Sequence, residues 1–260
     1  MEEGDFVVTP PGAWHDHGNP SDRPMIWLDG LDIPMVQFFD ASFFERHPQE
    51  EQPLTREPGD SLARYGANML PVDFDDRRPV SPIFSYPYAR SREALERMRR
   101  QDEWDPCHGL KLRYIDPKSG DFAMPTIAPF LQLLPKGFRT ARYRSTDATV
   151  FTPVEGHGRS VIDGQAFEWG PRDIFVVPSW RTVRHEADIA TRHNRGHDDV
   201  IHPWADDDVL QRRHRFHRTR IHDLPDDEDR TPRNRGGRCR HRCQVDPVID
   251  RARVEQDGSG

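Results

Sequence analysis

The chain is short of cysteine. Cys107, Cys239 and Cys243 are the only three in 260 residues, too few for a disulfide framework, so a reducing cytoplasm is the expected compartment. It lacks any uninterrupted apolar run of about 18 residues, which leaves no candidate for a membrane-crossing helix. The opening residues MEEGD contain neither a basic segment nor an apolar stretch, and no signal peptide is expected. Positive charge is not in excess either: the net charge of −7 gives no overall attraction to nucleic acid. Within these limits, a composition of 34% hydrophobic and 10% aromatic residues suffices to build a core.

From Met1 to about Asp188, the apolar runs DFVVT, MIWL, APFLQLL, DATVF and DIFVV recur between Pro, Gly and Asp. This pattern predicts the short strands of an all-β sandwich or barrel. One amphipathic helix is predicted in SREALERMRR, with Ser91 as its cap, Glu93 and Arg97 paired at i,i+4, and Leu95 and Met98 forming an apolar edge. The stretch from about Arg46 to Pro125 is rich in Pro and charge and is expected to connect two domains. Beyond Asp188 lysine is absent, Arg and His crowd into QRRHRFHRTRIH, and no strand or helix period persists, so a tail of low order is expected. A nucleic-acid arm on that basic cluster is disfavoured because acidic residues nearly balance the arginines. A metal site on Cys239, His241 and Cys243 is disfavoured because the group has no second ligand pair.

Near the amino terminus, Gly4, Pro10, Gly12, His15 and Asn19 fit the spacing G-x5-P-x-G-x2-H-x3-N. This stretch resembles the second conserved motif of the cupin superfamily. Gly4 and Asp5 suit a turn, DFVVT a strand, and Pro10 with Gly12 a bend that would point His15 into a barrel. In an extended chain His15 and His17 share a face and would line one cavity. Reading His15-Asp16-His17 as the opening H-x-H ligand pair of a cupin is disfavoured, because the Glu and Gly that should follow are missing. A bare surface turn with two solvated histidines leaves the other matched positions unexplained.

The longer stretch WHDHGNPSDRPMIWLDGLDIPMVQFFDASFFE resembles gentisate 1,2-dioxygenases and their salicylate and 1-hydroxy-2-naphthoate relatives. SPIFSYPYARSREALERM, HGLKLRYIDPKSGDFAMPTIAPFLQLLPKGFRTARYRSTDATVF and WGPRDIFVVPSW extend the likeness from residue 4 to about residue 188. The resemblance implies an all-β bicupin, two jelly-roll barrels in one chain with iron in the amino-terminal barrel alone. Residues 1–45 would be the carboxyl-terminal remnant of the first barrel, 46–125 the connector, 126–188 an incomplete second barrel and 189–260 the tail. In the second barrel Gly137 and Gly156 keep their motif places, yet the ligand positions carry Tyr143, Ser145 and Thr149. Aligning DIFVVP with DFVVTP puts Val183 where His15 stands and His185 where His17 stands. That barrel is therefore expected to be metal-free, with Tyr143 a buried core residue and His185 a solvated rim residue.

The same resemblance implies an extradiol-type dioxygenase in which three histidines hold Fe(II), leaving positions open to an aromatic hydroxy acid and dioxygen. The ring would open between its carboxyl-bearing and hydroxyl-bearing carbons, gentisate giving maleylpyruvate. His15 would be the third iron ligand, His17 and Asp29 would orient hydroxyls or move protons beside the substrate, and Trp14 would wall the pocket. Family members associate as tetramers, and neither a nucleic-acid nor a membrane partner is expected. The family's first H-x-H pair and the arginines that clamp the substrate carboxylate belong ahead of residue 4, where MEE stands. An amino-terminally truncated dioxygenase, inactive as it stands and poorly soluble, is the expectation. The reading from a different class is a non-enzymatic cupin serving as a binding or assembly module.

Overall fold

The computed structural model describes residues 1–49, 51–78, 80–187 and the backbone of 199–206. In chain order the elements are β1 (Phe6–Val7), α1 (Ile33–Phe38), α2 (Asp60–Tyr65), β2 (Ser85–Tyr86), α3 (Tyr88–Arg99) and β3 (Leu110–Arg113). They continue as β4 (Ile127–Leu134), β5 (Thr149–Glu155), β6 (Gly158–Ile162), β7 (Gln165–Trp169), β8 (Phe175–Val177), β9 (Val183–Ala187) and β10 (Asp199–Asp206).

β4 organises the core. Its sequence IAPFLQLL is buried along nearly its whole length, as expected of a strand covered on both faces. Leu131 and Leu133 join a cluster with Phe6, Val8, Leu95, Leu110 and Tyr114. Leu134, of opposite parity, joins Phe151, Trp169, Val177, Val183 and Ala187. The larger sheet runs β3-β4-β10-β5-β8 and the smaller β7-β6-β9, the pairings among these described strands being antiparallel. The β6–β7 hairpin turns at Asp163-Gly164, both with positive φ (47° and 87°), the conformation a two-residue turn needs to match strand twist.

The expected runs APFLQLL, DATVF and DIFVV are the strands β4, β5 and β8, and DFVVT supplies β1. Four expectations need correction. MIWL is not a strand: residues 24–32 are irregular and Ile26 is 92% exposed, since an apolar run makes a strand only against a partner's hydrogen-bonding edge. The fold is also not purely strand with one helix. α1 begins with Pro34 in its first turn, where a missing N–H costs nothing, and α2 has its own first-turn Asp60. Ser91 does not cap α3. Pro87 is the capping position and the Ser91 hydroxyl donates back to its carbonyl at 3.3 Å, while Glu93 and Arg97 pair at 2.6 Å as expected. Finally, strand structure reappears past Asp188: Asp199–Asp206 pairs with β4 on one side and β5 on the other. Backbone pairing on both edges there outweighs a local composition that shows no period. The region read as connector also contributes a strand, β3, to the larger sheet. Cys239, His241 and Cys243 lie outside the described residues, and Cys107 is buried.

Candidate functional site

Two places could carry chemistry: the histidine-bearing stretch after β1 and the interior of the carboxyl-terminal barrel. The first follows β1 through Pro10, Pro11 and Gly12, the last at a φ of 70°. His15 and His17 are brought together, their rings edge to face at 5.4 Å between centroids. They do not face a barrel interior. Trp14, His15, His17 and Asp29 are all exposed, on chain that belongs to no strand, which corrects the expectation that His15 points inward. The extended backbone gives the pair one face, but no described strand stands opposite to close a cavity over it. Trp27 stacks flat on His17 at 5.2 Å with 9° between planes, and Trp14 meets His47 edge-on at 5.1 Å. The chain returns to place Trp27 there because Asn19 builds a turn: its side-chain amide donates to the Arg23 carbonyl at 2.7 Å and its oxygen accepts from the Ser21 N–H at 3.1 Å. Trp27 was not picked out by motif spacing; Asn-Pro-Ser in the intervening turn is the signal that could have found it. Asp29 is exposed and stands outside this imidazole and indole cluster.

The second place is buried. His185 in β9 is fully enclosed, which overturns its reading as a solvated rim residue. Val183, His185 and Ala187 share the inward parity of β9, and a residue of that parity goes inside whatever its polarity. Its Nδ1 lies 2.8 Å from the Ser160 hydroxyl, its Nε2 lies 3.1 Å from the Tyr143 hydroxyl, and Trp169 Nε1 donates to the same Ser160 oxygen at 2.9 Å. Burial, followed by the charge of Lys111, pushes the His185 imidazole down to about 3. It is neutral at any physiological pH. Tyr143 is half-buried rather than fully so, packed on His108 at 4.6 Å. Thr149 is buried with its hydroxyl donating to Asp147 at 2.8 Å, and Gly137 and Gly156 take positive φ of 73° and 81°. The interior of this barrel is thus a hydrogen-bonded Ser160, His185 and Tyr143 plug wrapped in Phe151, Phe175 and Trp169.

A "Cupin domain" family profile matches residues 1–31. Gentisate 1,2 dioxygenase 1 of Aquipseudomonas alcaligenes is 64% identical over 187 residues, 72% of this chain and 54% of that protein. Over that stretch the chain is similar in sequence to gentisate 1,2-dioxygenases. It spans about half the length of the curated relatives it matches. Salicylate 1,2-dioxygenase from Pseudaminobacter salicylatoxidans matches in structure with a TM-score of 0.69 at 28% identity, over 79% of this chain and 58% of that one. Adducts of salicylate 1,2-dioxygenase from Pseudoaminobacter salicylatoxidans with gentisate match at a TM-score of 0.67 and 29% identity, over 79% and 56% of the two chains. The fold is accordingly a cupin fold, mostly strands with few helices, in which the first barrel is not closed.

Among the described residues no group of three or more His, Cys, Asp or Glu side chains is placed to hold a metal ion. His15 with His17 supplies at most two imidazoles, on an exposed stretch. The described residues do not fit the three-histidine iron centre that the resemblance implies. No described helix is long and apolar enough to cross a membrane.

Proposed function

We propose that this chain carries part of a ring-cleaving dioxygenase acting on an aromatic hydroxy acid, gentisate by preference, with dioxygen as co-substrate. The observation that supports this most strongly is the 64% identity to a gentisate 1,2 dioxygenase over 187 residues. In this reading His15 is one ligand of an Fe(II) site, His17 and Asp29 orient substrate hydroxyls or hold a proton, and Trp14 forms a pocket wall. Trp27 adds a flat surface that fixes the His17 ring. The described residues by themselves offer too few donors to hold the iron. The chain by itself is expected to hold iron weakly and to be inactive, since loss of ligands lowers metal affinity steeply. The proposed compartment is the cytoplasm and the proposed assembly a homotetramer. The proposed domains are a first-barrel remnant over 1–45, a connector over 46–125 whose β3 joins the larger sheet, a metal-free second barrel over 126–188 and a tail over 189–260 whose β10 joins the same sheet.

The test is complementation. The chain is co-expressed with the amino-terminal part of the Aquipseudomonas alcaligenes relative, and oxygen uptake with gentisate is followed. The proposal expects uptake that His15→Ala abolishes; a complex that forms without uptake, or uptake indifferent to His15→Ala, contradicts it. A second reading, a cupin assembly module, is favoured by one observation, the exposed aromatic and aliphatic side chains of residues 25–44. A stable tetramer that neither retains iron nor consumes oxygen after complementation would support it.

A further inference from the structure

β1 runs into the His15 stretch, and the structure shows what it is mounted on. Gly4 has a φ of 84°, and a Cβ there would sit 2.7 Å from Tyr88 Cγ, so the backbone lies flat on the Tyr88 ring where only glycine fits. Asp5 Oδ1 accepts from the Tyr88 backbone N–H at 2.8 Å, satisfying a first-turn donor of α3 from a distant part of the chain. Its Oδ2 accepts from the Glu2 N–H at 2.8 Å. The Tyr88 hydroxyl donates to Glu155 Oε1 at 2.6 Å, and Arg92 Nε donates to Glu155 Oε2 at 3.3 Å. Glu155 is the last residue of β5, in the larger sheet of the carboxyl-terminal barrel. Beside this, Glu3 pairs with Arg172 at 3.0 Å, and Phe6 and Val8 enter the cluster that holds Leu131 and Leu133.

We propose that Tyr88 and Glu155 form a clamp through which the carboxyl-terminal barrel positions the strand leading to His15 and His17. The inference rests on the reading of His15 as a site residue. Its chemistry is a short charge-assisted bond from a phenol to a carboxylate, which is stronger and more directional than a neutral one. Burial, then the bond to Glu155, pushes the Tyr88 phenol well above its ordinary range, so it stays protonated, and a donor, at physiological pH. The clamp gives the carboxyl-terminal barrel, whose described residues include no metal-holding group, a use: it is the frame to which a histidine strand is fastened. Tyr88 and Glu155 are positioning residues, acting on the imidazoles through Gly4, Asp5 and β1.

The full chain is tested as wild type, Tyr88→Phe, Glu155→Gln and Gly4→Ala. Amide exchange of Phe6, Val7 and Val8 and the ring resonances of His15 and His17 are followed by NMR. Each variant is expected to speed exchange at Phe6–Val8 by about tenfold or more, as loss of a charged hydrogen bond does, and to shift the His15 and His17 ring signals. Exchange across the β6–β7 hairpin is expected to stay unchanged. If the hairpin amides speed up equally while the ring signals stay in place, Tyr88 serves general stability and the proposal is overturned. Ring signals and β1 exchange that match wild type in Tyr88→Phe and Glu155→Gln overturn it as well. None of these readouts involves iron or gentisate, so failure of the dioxygenase proposal leaves this result intact, and the reverse.

Discussion

Residues 25–44 and residues 127–187 are both rich in large apolar side chains, and the two regions treat them in opposite ways. In the first, Phe38 and Phe44 are each 82% exposed and α1 buries no residue. In the second, Phe151 and Leu134 are enclosed and Phe151 stacks on Phe175 at 5.0 Å with 9° between planes. Composition is therefore a poor guide to where a core forms. What separates the regions is strand partnership: β4 and β5 have neighbours on both edges, whereas MIWL has none among the described residues. Hydrophobic burial requires a second surface, and paired strands supply it.

The largest test of this contrast is a pair of truncations. Phe151→Ala should cost about 3–5 kcal/mol in urea unfolding, as a fully buried aromatic does, whereas Phe38→Ala should change stability by less than about 0.5 kcal/mol. Similar costs would show that residues 25–44 pack against something in solution. Next comes acid. His185 has a folded pKa of about 3, lower than its unfolded value near 6.5. Its neutral form is favoured by folding, so the contribution is complete above about pH 6.5 and is lost as pH falls towards 3, a decline on the order of 4 kcal/mol by pH 3. Glu96, held at about 2 first by its hydrogen bond to Arg99, and Asp76, held at about 2 by Arg78, add losses in a lower window, beginning below about pH 4.5. His185→Gln should flatten the upper window only, as read by thermal melts at pH 4.5–6.5. The smallest effect is expected at the surface. Trp27→Ala removes one exposed stack on His17, worth about 0.5–1 kcal/mol locally, and should move the His17 ring signals without changing the melting temperature.

Much of the carboxyl-terminal barrel was legible because its strands obey simple rules. APFLQLL is an apolar run broken only by Gln132, set between Pro and Gly punctuation. β10 was not legible: its backbone is recruited by β4 and β5 across a long sequence separation, which no local window registers. His185 was misplaced for a different reason. Polarity suggested the rim, while the parity of Val183, His185 and Ala187 pointed inward, and parity prevailed once Ser160 and Tyr143 supplied hydrogen bonds. At the candidate site, the spacing from Gly4 to Asn19 identified the motif, yet not the exposure of His15. Ser91 failed as a cap because Asp5, far away in sequence, reaches the start of α3.

We propose that the amino-terminal histidines belong to a dioxygenase site for which the described residues supply too few iron donors. The most direct measurement is iron content together with oxygen uptake on gentisate for the purified chain supplied with Fe(II) under reducing conditions. The account predicts iron well below one per chain and no gentisate-dependent uptake; one iron per chain with sustained uptake would contradict it.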